Sequence, residues 1–116
     1  MIIGTGIDII EVSRIAKAIE RWGENFMTHV FCDEEIAYSQ RHKAPNQHFA
    51  GRFAAKEAIL KAIGDNAHIN WKDMLILNDK FGRPFCRLDI KDFKYKILLS
   101  ISHTENYAVA NAIITS

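Results

Sequence analysis

The chain has 116 residues, 48% hydrophobic and 25% charged, which predicts one ordinary globular domain with a modest core. Its 15 basic and 14 acidic residues leave a net charge of +1, so bulk charge does not point to nucleic acid, and electrostatic recognition must come from a local patch. The two cysteines, Cys32 and Cys86, have neither metal-ligand nor disulfide-framework spacing, no apolar run reaches the ~18 residues of a membrane span, and MIIGTGIDII lacks the basic start of a signal peptide, so a reduced cytoplasmic setting is expected.

Residues 2–10, IIGTGIDII, read as a β-branched strand. Strand parity puts Gly4, Gly6 and Asp8 on one face and Ile3, Thr5, Ile7 and Ile9 on the other. Two glycines in a strand signal close approach by a ligand or another backbone, and here they leave room beside a carboxylate. The plainer reading is a bulge with a solvent-facing Asp. Residues 13–22 read as a helix, with Ser13 as its N-cap and Gly23 as its stop. Ile15, Ile19 and Trp22 form its apolar stripe. Arg14, Lys17 and Arg21 cluster almost opposite, either as a solvated face or as a docking face for an acidic partner. CDEEIAYSQRH, from Cys32, predicts a second helix with Asp33 as cap and Glu34 and Glu35 favouring its first turn. The basic loop RHKAPNQ leads through Pro45 into a third helix, from about residue 46 to Ile63, which ends at Gly64. Then the period changes. MLILN, PFCRLDI, KILLSIS and YAVANAII read as strands, with KFGRP as a turn. Helices followed by strands, after one isolated leading strand, predict an α+β fold with an antiparallel sheet.

The third helix contains FAGRFAAKEAILKA. At 100° per residue, Glu57 and Lys61 lie together beside a stripe of Ala54, Ala58 and Ala62; Arg52 and Lys56 form a separate pair; Phe53 and Leu60 lie elsewhere. A Glu-to-Lys pair at this spacing on a solvated face contributes only ~0.2–0.5 kcal/mol. Little of this helix can be solvated, however, and a carboxylate removed from water costs several kcal/mol unless paired or ligated. A hard cation would satisfy Glu57, and Lys61 could hold a phosphate oxygen. Asp8 and Glu57 together read as an Mg²⁺ pair, since that ion takes one or two protein carboxylates and completes its shell with water and phosphate oxygens. In SISHTENYAVA, His103 stands just past a strand on which Ser100 and Ser102 share a face. A strand-end histidine is usually a surface residue, and His29, His42, His48 and His68 have no stronger context.

Taken together, these segments resemble the holo-acyl-carrier-protein synthase family of small bacterial 4′-phosphopantetheinyl transferases. GTGIDIIEVSRI resembles the family's opening Gly-x-Asp motif, and FAGRFAAKEAILKA its Lys-Glu-Ala helix. FGRP resembles its Gly-Lys-Pro turn, with Arg83 where Lys is commoner, and SISHTENYAVA its closing Ser-x-Ser-His segment. Lys17 and Trp22 fall in a helix that varies across the family, and Cys32 stands where a Thr is frequent. The resemblance implies the transferase fold, with a homotrimer whose active sites lie between subunits. It implies transfer of 4′-phosphopantetheine from coenzyme A to a serine of apo acyl carrier protein, in fatty acid biosynthesis, releasing adenosine 3′,5′-bisphosphate. By motif position, Asp8 and Glu57 become Mg²⁺ ligands, and Lys61 and His103 become partners of the phosphates or leaving group. Arg52, Gly82, Arg83 and Pro84 join the coenzyme A cleft, and Arg14, Lys17 and Arg21 would dock the acidic carrier. The small residues of the third helix would admit coenzyme A and a neighbouring subunit. A non-catalytic coenzyme A or nucleotide-binding module would keep the basic loop and Arg52 without needing both Asp8 and Glu57. A nucleic-acid binder is disfavoured by the even charge and the lack of interleaved surface aromatics.

Overall fold

A computed structural model describes residues 1–64 and 68–116. The leading strand β1 (Ile2–Glu11) runs directly into α1 (Val12–Trp22); α2 (Glu24–Val30), α3 (Asp33–Gln40) and the long α4 (Pro45–Ile63) follow. A 3₁₀ turn, Trp71–Asp73, precedes β2 (Met74–Asn78), β3 (Pro84–Leu88), β4 (Lys96–His103) and β5 (Tyr107–Thr115). The strands form two antiparallel sheets, a three-stranded one in the order β1-β5-β4 and the β2-β3 hairpin. The expected α+β class and antiparallel pairing hold, and the isolated leading strand finds its partner in the last strand of the chain.

Register explains how α4 is seated. Across the three strands, Gly6 lines up with Ala112 and Leu99, Asp8 with Ala110 and Ile101, and Ile10 with Ala108 and His103. These rows form the face that α4 covers. A Cβ built on Gly6 would lie 2.0 Å from the Ala58 carbonyl oxygen, and one on Gly4 would lie 2.1 Å from that of Ala62. The glycines therefore bring the helix backbone onto the strand, so the room over Gly4 and Gly6 is filled by α4 rather than by a ligand. The alanines of α4 are spent on the same contact: Ala54, Ala55, Ala58 and Ala62 are buried within the chain, which corrects the expectation that they admit coenzyme A or another subunit. On the opposite face, Thr5 lines up with Ile113 and Leu98, Ile7 with Asn111 and Ser100, and Ile9 with Val109 and Ser102. This face is left bare, with Ile7 62% and Ile9 65% exposed.

Several local expectations change. Ser13 is inside α1, whose cap position is Glu11, and the helix starts where the Val12 N–H meets the Asn106 carbonyl at 2.8 Å. Gly23 does stop α1, donating to the Ile19 carbonyl, but with φ 53° it also turns the chain into α2, a helix that the sequence reading lacked. Trp22 is not part of the core stripe; it is 54% exposed. The cap of α3 is Cys32 rather than Asp33, and its N–H donates to Glu35 Oε1 at 2.8 Å.

Glu35 is the larger surprise, because it is fully buried, as is Lys56. Lys56 Nζ donates to Glu35 Oε1 at 2.7 Å, to the Val30 carbonyl at 2.7 Å and to the Trp71 carbonyl at 3.1 Å. The other carboxylate oxygen, Oε2, accepts the Ile76 N–H at 2.9 Å. One ion pair thus joins the end of α2, the start of α3, the middle of α4, the 3₁₀ turn and β2. Removing one partner of such a pair strands a buried charge and typically costs ~3–5 kcal/mol. Lys56→Met is therefore expected to lower unfolding stability in urea by that amount, at matched protein concentration. Adding Glu35→Gln removes the stranded charge and keeps an acceptor, and should recover more than half of the loss.

Candidate functional site

The sequence-predicted residues fall into two groups on opposite flanks of α4. The first is Asp8, Glu57 and Lys61. Asp8 comes from the Gly-lined face of β1, and Glu57 and Lys61 come from the adjacent side of α4. Lys61 Nζ donates to Asp8 Oδ1 at 3.1 Å and to the Ile7 carbonyl at 3.0 Å, so it reaches across to the strand rather than back to Glu57. Asp8 is largely sheltered and Lys61 half exposed. Among the described residues, Glu57 has no cationic partner within ion-pair distance. Burial, reinforced by the charge of Asp8 and only partly offset by Lys61, holds the Glu57 carboxyl above the usual carboxylate range. Two hard oxygen donors are thus near enough to repel each other, and only Asp8 is paired with Lys61. No group of three or more His, Cys, Asp or Glu side chains suited to a metal occurs among the described residues. Two carboxylates are the number that an ion such as Mg²⁺ takes from a protein when water or a phosphate fills the rest of its shell.

The second group is Arg52, Gly82, Pro84 and His103, which line one cavity of about 220 Å³ with Tyr38, His48 and Asn78. Arg52 is 3% exposed. Its guanidinium donates to Asn78 Oδ1 and lies 3.9 Å over the Tyr38 ring, a pre-set orientation for a buried cation. An adjoining hollow of about 540 Å³ shares Tyr38, Arg52, Asn78 and Gly82 and adds Arg41 and Lys80. The β2-β3 turn is fixed by its own hydrogen bonds. Asp79 Oδ1 accepts the Phe81 and Arg83 N–H groups, Asn78 Nδ2 donates to the Gly82 carbonyl, and Gly82 holds φ 83°. The same turn directs Arg83 to a separate groove with Phe85 and Leu98, away from Arg52.

Geometry keeps the groups apart within one chain. Asp8 and His103 lie in neighbouring rows on the same sheet face, but on its two edge strands. With strands ~4.8 Å apart, two spacings separate them, and a helix ~10 Å wide lies between. Arg52 and Glu57, five residues apart on α4, point about 140° from each other. Arg14, Lys17 and Arg21 form a third, exposed group on α1, where the Arg21 guanidinium stacks 4.8 Å over Trp22. The cysteines stay chemically quiet, since burial pushes the Cys86 thiol up to about 12 and also raises that of Cys32.

Sequence reasoning missed Tyr38, His42, His48 and Asn78. Helical spacing did carry a signal for three of them: His48 precedes Arg52 by four residues on α4, and Tyr38 precedes His42 by four. Asn78 carried none, because only tertiary packing brings β2 to Arg52.

Comparison with known proteins covers the chain almost from end to end. The family model of the 4′-phosphopantetheinyl transferase superfamily matches residues 4–112. The holo-acyl-carrier-protein synthase of Thermodesulfovibrio yellowstonii is 44% identical over 115 residues, covering 99% of this chain and all of that one. The crystal structure of the Bacillus anthracis synthase in complex with CoA (3′,5′-ADP) matches with a TM-score of 0.86 and 36% identity, over 100% of this chain and 98% of that one. The Neisseria meningitidis enzyme matches over the full length of both chains, with a TM-score of 0.90 and 26% identity. Sequence and fold agree from end to end, and the chain belongs to the holo-acyl-carrier-protein synthases of the 4′-phosphopantetheinyl transferase superfamily.

Proposed function

We propose that this chain is an Mg²⁺-dependent transferase that moves 4′-phosphopantetheine from coenzyme A to a serine of apo acyl carrier protein, releasing adenosine 3′,5′-bisphosphate, in the cytoplasmic supply of carriers for fatty acid synthesis. The observation that carries the metal assignment is that Glu57, on the α4 flank that touches β1, has no cationic partner among the described residues while its neighbour Asp8 holds Lys61. Asp8 and Glu57 would hold the ion. When bound, Mg²⁺ supplies positive charge to the pyrophosphate. Lys61, already anchored on Asp8, offers its ammonium to a phosphate oxygen, and removing one such stabiliser typically costs ~10²–10³ in rate. Arg52, fixed by Asn78 and Tyr38, holds the nucleotide half of coenzyme A in its cavity, beside Gly82, Pro84 and His103. Arg83 flanks that cleft from the neighbouring groove. Phosphoryl transfer needs mainly such positioning and charge.

The carboxylates and the cleft face opposite flanks of α4, so a complete site requires the carboxylates of one copy to meet the cleft of another. The bare face of the three-stranded sheet, with Ile7 and Ile9 exposed, supplies an apolar surface for that meeting. We read the assembly as a homotrimer of single-domain subunits with a site at each junction.

Three outcomes test this reading. With coenzyme A and Mg²⁺, the protein should add one phosphopantetheine mass to an apo carrier protein. Asp8→Ala and His103→Ala should each lose at least ~10²-fold in rate, and mixing the two after reversible dissociation should restore part of the activity, because some junctions then pair an intact carboxylate half with an intact cleft. No recovery on mixing places the whole site within one chain.

The Glu57 carboxyl ionises less readily in the folded chain than when unfolded, so its ionised form opposes folding. That cost is absent below the ordinary carboxylate range and grows as pH rises through the raised value. In metal-free buffer at pH 7, Glu57→Gln should be more stable than the wild type, with the difference closing as pH falls toward 4. Mg²⁺ should raise the stability of the wild type and not that of the variant.

Charge on α1 is expected to act on the carrier alone. Arg14→Glu or Arg21→Glu should raise KM for the carrier at least about fivefold and leave KM for coenzyme A unchanged. Added salt should weaken the wild type in the same way, since exposed charges steer encounter over a Debye length of ~8 Å. Lys17→Glu should do less than Arg14→Glu, because an ammonium lacks the guanidinium's bidentate fork.

A further inference from the structure

His48 has no role in the reading above, yet it stands at the centre of a column of rings beside the cavity. Its imidazole stacks on His42 with centroids 3.9 Å apart and planes 28° from parallel. On its other side it meets His103 at 5.0 Å and 70°, edge against face. Tyr38 closes the column on His42 at 4.6 Å, and Arg52 lies over the Tyr38 ring. His42 is itself tied down, with Nδ1 2.6 Å from the Tyr38 carbonyl oxygen. Aromatic contacts therefore run unbroken from the Arg52 guanidinium to His103. Among the described residues these imidazoles form no metal-ligating group.

His103 needs such a brace. It is the last residue of β4, on an edge strand, and exposed. A strand-end side chain has several rotamers open to it, and only some of them point into the cavity it shares with Arg52. An edge-to-face ring contact is enough to favour one rotamer several-fold over the others, at about the strength of an ordinary aromatic pair.

We propose that His48 is a positioning residue for His103: an imidazole wall, stacked on His42, that fixes the His103 ring toward the coenzyme A cleft. The inference rests on the transferase reading, which gives His103 its place beside the phosphates. Neutrality follows from the surroundings. His48 is faced by Tyr38 and His42 from α3 and the turn after it, by Arg52 from its own helix, and by His103 from β4, while Arg41 lies over the far side of Tyr38. A proton there would add a cation to a sheltered wall that already holds Arg52. Burial first, then the charges of His42, His103 and Arg52, push His48 down to about 4. His48 is thus a ring without a charge wherever the enzyme works above about pH 5.

The test uses His48→Ala, His48→Phe, His103→Ala and the His48→Ala/His103→Ala double variant of the full chain. With coenzyme A, Mg²⁺ and apo carrier, His48→Ala should lower kcat about tenfold and change KM for coenzyme A less than about twofold. His48→Phe keeps the wall and should stay within about twofold of the wild type, with an unchanged acid limb of the kcat–pH profile. The double variant should be no slower than His103→Ala alone, since a brace has nothing to hold once His103 is gone. A second readout needs no substrate: the ring-current displacement of the His103 Hδ2 and Hε1 resonances should collapse in His48→Ala and survive in His48→Phe. Losses that multiply in the double variant, an acid limb shifted by His48→Phe, or His103 resonances unmoved by His48→Ala would each overturn the proposal. If no transfer occurs at all, the transferase reading fails, and the resonance shifts still decide whether His48 orients His103.

Discussion

The buried Lys56–Glu35 pair is the joint on which the cleft is built. Its contacts reach the end of α2, the cap of α3, the 3₁₀ turn and β2. Three of the joined elements then present a cleft residue about one turn or two residues away. Arg52 is four residues before Lys56 on α4. Tyr38 is three after Glu35 on α3, and Asn78 is two after Ile76 on β2. These are the groups that hold one another in the cavity wall. A buried ion pair is weak as a source of net stability, because desolvation cancels much of its attraction. Its value here lies in register: an ammonium with three donors has only one arrangement in which two carbonyls and a carboxylate are all satisfied.

The same helix is governed on its other flank by a contact without side chains. Main-chain oxygens of α4 fit against Gly4 and Gly6 of β1, and alanines fill the remaining space. α4 thus has a charged, hydrogen-bonded flank and a close-packed flank, and it separates the two groups of candidate site residues by its own diameter. A fold this small has no further layer with which to wrap a cleft around both halves. The bare apolar sheet face and the separation of the two candidate groups are two consequences of one economy of size.

Fold class, the alternating faces of β1 and the ends of α4 were legible because each rests on local rules: alternation, helical period, a proline at the start and a glycine at the end of α4; the candidate site residues could be named from the sequence, but not which of them share a flank. The illegible parts are those in which a distant segment decides. Glu35 reads as an ordinary first-turn carboxylate, and only the arrival of Lys56, 21 residues later, makes it a core residue. Gly23 reads as a stop, and whether the chain then restarts a helix depends on where Phe26, Met27 and Val30 find apolar cover. The glycines beside Asp8 are compatible with a ligand or a backbone, and Ala58 and Ala62 settle that in favour of the backbone. His48 lacked context for a similar reason: its neighbour His103 lies on a strand far down the chain.

The contact between α4 and β1 also sets how the two carboxylates move. Asp8 and Glu57 sit on main chains that touch, with no intervening layer of flexible side chains to slip or repack. Their spacing is therefore a property of the scaffold, insensitive to the size of any one core side chain, and it can change only if the whole helix rides along the strand. A pair held in this way would have little backbone freedom to lose on binding an ion, which would favour ions with strict ligand geometry over those that tolerate a loose shell.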